Sequence, residues 1–324
     1  MERRTKRILF GAGAAAAGAA VFGFIHNFTL NNLVKIAIGR EVPKIITKNE
    51  GKSPVAGEEL SFKKHPDVLA GREYLKNCDC ETVEITSFDR LKLMGHWYAG
   101  ENPKRVIIAM HGWRSSWVND FGVISRFWHE NDCAVLYADQ RGQGGSDGEY
   151  IGFGMLERHD CLSWIKWVTE RTALPIYLAG VSMGASTVLM TSGFELPENV
   201  RGIIADCGFT SPKAIWKHVV ENNMHLPYGL YSAGVDDECR KKIQCGSDDY
   251  SCTEALKNCK VPVLFIHGTD VKFVPVEMTY ENYKACASSK RLFIVPGASH
   301  GMSYMTDTEG YQREIKEFWA DHDA

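Results

Sequence analysis

No two cysteines stand in a C-x-x-C pair, although the 324-residue chain carries ten of them. The usual zinc and thioredoxin-like signatures are therefore missing. Neither a Walker A loop nor a Rossmann glycine fingerprint occurs, which removes the common nucleotide-binding classes. Lys and Arg number 37 against 40 Asp and Glu, a net charge of −3. No basic surplus points to nucleic acid, and no block of like charge suggests a disordered tail. No set of metal ligands stands out, and no cofactor is expected.

The longest absence is of charge itself. From Ile8 to Val34 there is no Asp, Glu, Lys or Arg, directly after the basic run Arg3-Arg4-Thr5-Lys6-Arg7. That window exceeds the roughly 20 residues needed to cross a bilayer core. Its basic flank predicts a cytoplasmic N-terminus and the body of the chain on the extracytoplasmic side. Residues 1–40 are thus expected to be a transmembrane anchor. Two other readings stay open: a cleaved signal, with Ala17-Gly18-Ala19 resembling a peptidase site and the protein secreted, or an apolar arm. Residues 41–77, polar and holding Pro43, Pro54 and Pro66, are expected to be a linker. In an exported domain some cysteines, notably Cys78 with Cys80 and the group Cys239, Cys245, Cys252 and Cys259, are candidates for disulfides; free thiols are the other reading.

From residue 78 the chain has the rhythm of an α/β domain. Glu81–Thr86 and Leu91–Tyr98 alternate apolar and polar residues about Ser87-Phe88-Asp89-Arg90, a hairpin at a sheet edge. Short continuous apolar runs follow at Val106–Met110, Ala134–Ala138, Ile176–Ala179, Gly202–Ala205, Val263–Ile266 and Arg291–Val295, as buried parallel strands require. Helices are expected at Trp117–Glu130, Met155–Arg171, Met183–Gly193, Glu277–Ala287 and Tyr311–Asp321. A mostly parallel sheet with helices on both faces results. Residues 208–260 are too many for one crossover and read as a cap over a substrate pocket.

The chemistry centres on Gly180-Val181-Ser182-Met183-Gly184, a G-x-S-x-G between a strand and a helix, the context in which that motif forms a nucleophile elbow. Serine needs a base within hydrogen-bond reach. The order nucleophile, acid, histidine predicts it after the last strand, where Pro296-Gly297-Ala298-Ser299-His300-Gly301 supplies His300. The oxyanion requires backbone donors: Met183, following the nucleophile, and Trp113 in the loop His111-Gly112-Trp113. His111 and His267, before glycines at strand ends, are expected to hold loop geometry. The glycines of Asp139–Ser146 suggest a tight structural loop.

Together His111-Gly112, Asp139–Gly145, Gly180–Gly184, Asp206–Ser211, His267-Gly268, Val274-Pro275 and Gly297–Gly301 resemble the α/β-hydrolase superfamily, specifically its capped bacterial esterase/lipase-like and serine-aminopeptidase-like members. The resemblance runs from about Glu81 to the C-terminus. It implies an α/β-hydrolase fold with a helical cap, preceded here by the transmembrane helix, and a serine hydrolase acting on small acyl esters. An aminopeptidase-like activity is the alternative, for which Glu221, Asp236, Asp237 and Glu238 of the cap leave room. In these relatives the acid stands in H-G-x-x-D-x-x-V-P. Here the run is His267-Gly268-Thr269-Asp270-Val271-Lys272-Phe273-Val274-Pro275, with valine at the acid's place and Asp270 one residue early. The acid is then Asp270 across a shifted loop, or Asp206 at the end of the preceding strand. If neither engages His300, the chain is a weakened, membrane-tethered pseudo-hydrolase.

Overall fold

A computed structural model describes residues 21–41 and 65–323. Eight strands form one sheet: β1 (Glu81–Thr86), β2 (Lys92–Tyr98), β3 (Arg105–Met110), β4 (Cys133–Ala138), β5 (Ile176–Val181), β6 (Val200–Asp206), β7 (Val263–Gly268) and β8 (Lys290–Val295), in the order β1-β2-β4-β3-β5-β6-β7-β8. The hairpin β1–β2 is antiparallel and joins β4 antiparallel; every later pairing is parallel. The apolar runs are continuous because both faces are covered. Alternate residues enter opposite cores: Val106, Ile108 and Met110 one, Ile107 and Ala109 the other, the period-2 consequence of the pleat.

The helices are α1 (residues 21–38), α2 (Pro66–Lys76), α3 (Trp117–Glu130), α4 (Glu157–Thr169), α5 (Met183–Thr191), α6 (Pro212–His218), α7 (Tyr228–Ile243), α8 (Cys252–Leu256), α9 (Val276–Ala285), α10 (Ser303–Thr306) and α11 (Thr308–His322). Their starts are chemically marked. Ser116, Ser211, Ser251 and Asp307 each accept the amide three residues on, satisfying a donor that the first turn leaves orphaned. Segment 208–260 is helical as expected, with α6, α7 and α8 on the β6–β7 crossover.

Three expectations need correction. The arm expected over 41–77 holds α2, with Pro66 at its first turn, where a missing N–H costs nothing. Gly71 of α2 and Gly122 of α3 cross so closely that a Cβ on either would press into the other's backbone. Residues 42–64 lie outside the described residues. All ten cysteines are free thiols, so none of the candidate disulfides forms. The expected membrane span falls partly on residues 8–20, outside the described residues. Its remainder belongs to α1, where Leu33, Val34 and Ile38 are buried in the domain's core. No helix among the described residues is long and apolar enough to cross a membrane.

Candidate active site

Ser182 sits between β5 and α5 with φ 55° and ψ −117°, a left-handed backbone that a residue with a Cβ adopts only when its surroundings force it. The forcing is steric. A Cβ on Gly184 would overlap the Met110 carbonyl at the end of β3, and one on Gly180 would overlap Gly184 itself. The Ser182 N–H is fixed by the Asp206 carbonyl at 2.8 Å. Met183 begins α5, so its amide is among those with no intrahelical acceptor.

The loop after β3 runs beside the serine: a Cβ built on Gly112 would lie 3.4 Å from Ser182 Cβ. Asp120, in the first turn of α3, takes the Gly112 N–H at 2.6 Å on one oxygen and the Ser115 hydroxyl on the other. The Gly112 amide is thus spent on Asp120, and the Trp113 N–H that follows it makes no backbone hydrogen bond among the described residues. Asp120 had no sequence signature, since an acidic residue in a first helical turn ordinarily reads as a partner of the helix dipole.

His300 follows β8 in a loop strapped to the loop after β7. The Asp270 N–H bonds the Ala298 carbonyl at 3.0 Å, and the Gly297 N–H bonds Thr269 Oγ1 at 2.8 Å. A Cβ built on Gly301, next to His300, would lie 4.0 Å from Val181 Cγ1, which places the histidine loop against the elbow. Burial, with a smaller contribution from His267, pushes the His300 imidazole down to about 3. It is therefore neutral at pH 7, as a general base must be.

Neither expected acid reaches it. His300 Nδ1 is buried without a hydrogen-bond partner among the described residues. Asp270 is exposed and accepts from Thr269 Oγ1, while Val271, next along, is the buried residue of the pair. The backbone bond at residue 270 fixes that register, so a one-residue offset turns the carboxylate outward. Asp206 is fully buried but accepts from Ser303 Oγ (3.1 Å) and the Tyr311 hydroxyl (3.3 Å); burial pushes it up to about 7. His111 and His267 do hold loops: His111 bonds the Gly112 carbonyl and the Gln140 amide, His267 the Thr279 hydroxyl and the Val274 carbonyl. The Asp139–Ser146 loop is a tied structural loop, Asp139 taking the Gly145 N–H at 2.8 Å and Ser146 Oγ the Met94 N–H at 2.8 Å.

Beside the site lies an apolar cleft. Its lining includes Trp113, Phe153 and Phe273 and, from the cap, Ile215, Trp216 and Val220. Phe273 contacts the His300 ring edge-on, centroids 5.6 Å apart, and stacks on Trp113. Leu33, Ile36 and Ala37 of α1 complete the lining, which sequence reasoning missed. The four cap acids do not line the cleft. Asp236 is held by Ser247, while Asp237 and Glu238 are paired with Lys241.

Comparison with known proteins follows the same lines. The family profile described as serine aminopeptidase, S33, matches residues 101–227. YqkD of Bacillus subtilis (strain 168), an uncharacterized protein, is 27% identical over 316 residues, 97% of each chain. The uncharacterized YfhR of Escherichia coli (strain K12) is 25% identical over 249 residues, 74% of this chain and 80% of that one. Among solved structures, Pyrococcus furiosus esterase Pf2001 superposes with a TM-score of 0.64 at 22% identity, covering 78% of this chain and 94% of its own. Est1E from Butyrivibrio proteoclasticus, solved with ferulic acid bound, gives 0.56 at 18%, covering 74% and 98%.

Proposed function

We propose, for a chain that belongs to the α/β-hydrolase superfamily, a serine hydrolase that cleaves carboxylic esters through an acyl-enzyme. The observation that carries the reading is the strained Ser182 elbow with the His300 loop packed against it, beside an apolar cleft whose Phe273 meets the imidazole. Ser182 Oγ attacks the carbonyl carbon while its proton passes to His300 Nε2. The oxyanion receives the Met183 and Trp113 amides. As the carbon–oxygen bond breaks, the same proton goes to the leaving alcohol. Water, deprotonated in turn by His300, then releases the acid and restores the serine.

The cleft lining favours esters over peptides. No carboxylate among its lining residues would receive an α-ammonium; of the cap acids that left room for an aminopeptidase, Asp236, Asp237 and Glu238 are engaged elsewhere and Glu221 is exposed outside the lining. We further propose that the uncharged N-terminal segment anchors the chain in a membrane, with the hydrolase domain on the extracytoplasmic side.

The test uses the full chain with p-nitrophenyl butyrate and a fluorophosphonate probe. Ser182→Ala is expected to abolish both turnover and labelling. Hydrolysis undiminished in that variant would overturn the assignment, and a parent chain that neither turns over nor labels would leave a binding protein in its place.

A further inference from the structure

Helix α1 has two unlike halves. Toward the domain it presents His26, Leu30, Leu33, Val34, Ala37 and Ile38, spaced as one face of a helix. His26 stacks on Tyr231 of α7 with centroids 5.0 Å apart, and Leu30 presses against Gly234, where a Cβ would clash with it. Leu33 and Ala37 close the acyl cleft. The other face changes character along its length. Val21, Phe22, Phe24, Ile25 and Phe28 are exposed, Phe24 by 73%, whereas the exposed positions beyond are Asn31 and Lys35. Exposed aromatic and aliphatic side chains, broken only by Asn27, at one end and a polar back at the other are a poor fit to water and a good fit to an interface.

The end of α1 is also fastened to the oxyanion loop. The Trp113 indole donates to the Ala37 carbonyl at 2.9 Å. The Arg114 guanidinium donates to the carbonyls of Lys35 (3.0 Å), Ile36 (3.0 Å) and Gly39 (2.6 Å), capping the helix's negative end. Arg40 reaches the Gly144 and Ser146 carbonyls across the site. One helix therefore carries exposed aromatics at one end and, about 14 Å further along its axis at 1.5 Å per residue, the roof of the cleft.

We propose that α1 seats this enzyme on a phospholipid bilayer and roofs its acyl pocket at once, so that the substrate is a long-chain acyl ester drawn from that bilayer. The inference rests on the ester-hydrolase reading. The bilayer is favoured as occupant by sequence as well as by exposure. The uncharged window continues upstream to Ile8, and the cluster Arg3, Arg4, Lys6 and Arg7 beyond it complements anionic headgroups. An acyl chain leaving the hydrocarbon beside Phe28 would pass along α1 to Ala37 without crossing open water.

The experiment takes the full chain with vesicles of phosphatidylcholine and phosphatidylglycerol carrying p-nitrophenyl palmitate, beside soluble p-nitrophenyl butyrate. The double variant Phe24→Ser/Phe28→Ser is expected to lose co-sedimentation with vesicles and to lower the palmitate-to-butyrate rate ratio about tenfold. Ala37→Phe, filling the roof, is expected to lower the same ratio about tenfold, the worth of roughly two methylenes of lost burial, with sedimentation unchanged. Ratios within about twofold of the parent in both variants would overturn the proposal. So would a parent that fails to bind vesicles and sediments as a dimer, because the aromatic face would then belong to a second copy. If the parent hydrolyses neither ester, the ester reading fails separately, and binding of a fluorescent fatty acid decides the roof. Weakening of about tenfold by Ala37→Phe supports it, and unchanged affinity overturns it.

Discussion

Val271→Asp is the perturbation that most directly probes the orphaned His300 Nδ1. The loop holding residue 271 is strapped to the histidine loop by two hydrogen bonds, and Val271 is only 7% exposed. Valine and aspartate are close in size, so the substitution adds charge with little change of volume. Loss of the orienting acid costs a serine triad roughly 10⁴ in rate, about 5.5 kcal/mol at 1.36 kcal/mol per decade. That is the most the variant can recover. Against it stands a carboxylate placed where only one partner is at hand, a penalty of about 1–3 kcal/mol on folding. The expected outcome is kcat for p-nitrophenyl butyrate raised by about 10²–10⁴ with KM little changed, because the new group touches His300 and not the substrate. A thermal melt should show a modest loss of stability. A folded variant with kcat within about twofold of the parent would refute the reasoning. So would a parent activity that Asp270→Ala reduces about a thousandfold, since Asp270 would then swing inward to serve.

The pH dependence gives a second check. With its imidazole at about 3, His300 remains a base well into acid, so the acid limb of kcat/KM should lie below about pH 5; in Val271→Asp the new carboxylate favours the imidazolium and should move that limb toward the ordinary histidine value of about 6.5. The same shift has a sign for stability: a depressed histidine contributes stability that is complete above about pH 6.5 and lost as pH falls toward 3. Asp206 has the opposite sign. Its carboxyl, pushed up to about 7, costs stability progressively as pH rises from about 4 to 7, so the melting temperature of Asp206→Asn should gain on the parent between pH 5 and pH 8. Activity in Asp206→Asn should stay within about threefold of the parent; a thousandfold loss would make Asp206 the acid.

Much of the architecture was legible because burial on both faces of a parallel sheet leaves unmistakable apolar runs. Helix Trp117–Glu130 was read to the residue, since Ser116 caps it and the polar Asn131-Asp132 ends it. The placement of Ser182 at a strand-to-helix turn and of His300 in the loop after the last strand was legible because the glycines on either side mark both turns. The acid was not, because spacing cannot say which of two neighbouring side chains faces inward once a backbone bond such as that from Asp270 to Ala298 sets the turn. In helix α1 the outer aromatics make all faces look alike in the sequence, so a span, a signal and an apolar arm stay open there, and the set Leu30, Leu33, Val34 and Ala37 that meets the domain is concealed. Pro66 counts toward a linker in the sequence, yet it opens a helix.

The contact between Gly184 and the Met110 carbonyl reaches beyond the shape of one turn. Because no atom fits between them, the serine elbow and the strand feeding the oxyanion loop behave as one rigid casting. Asp120 locks the Gly112 amide to the same piece. Any breathing that admits a bulky substrate must then come from above, from α1 and the cap, while the reacting centre keeps its dimensions. Selection or engineering could thus exchange the upper storey for new acyl groups without re-tooling the chemistry underneath.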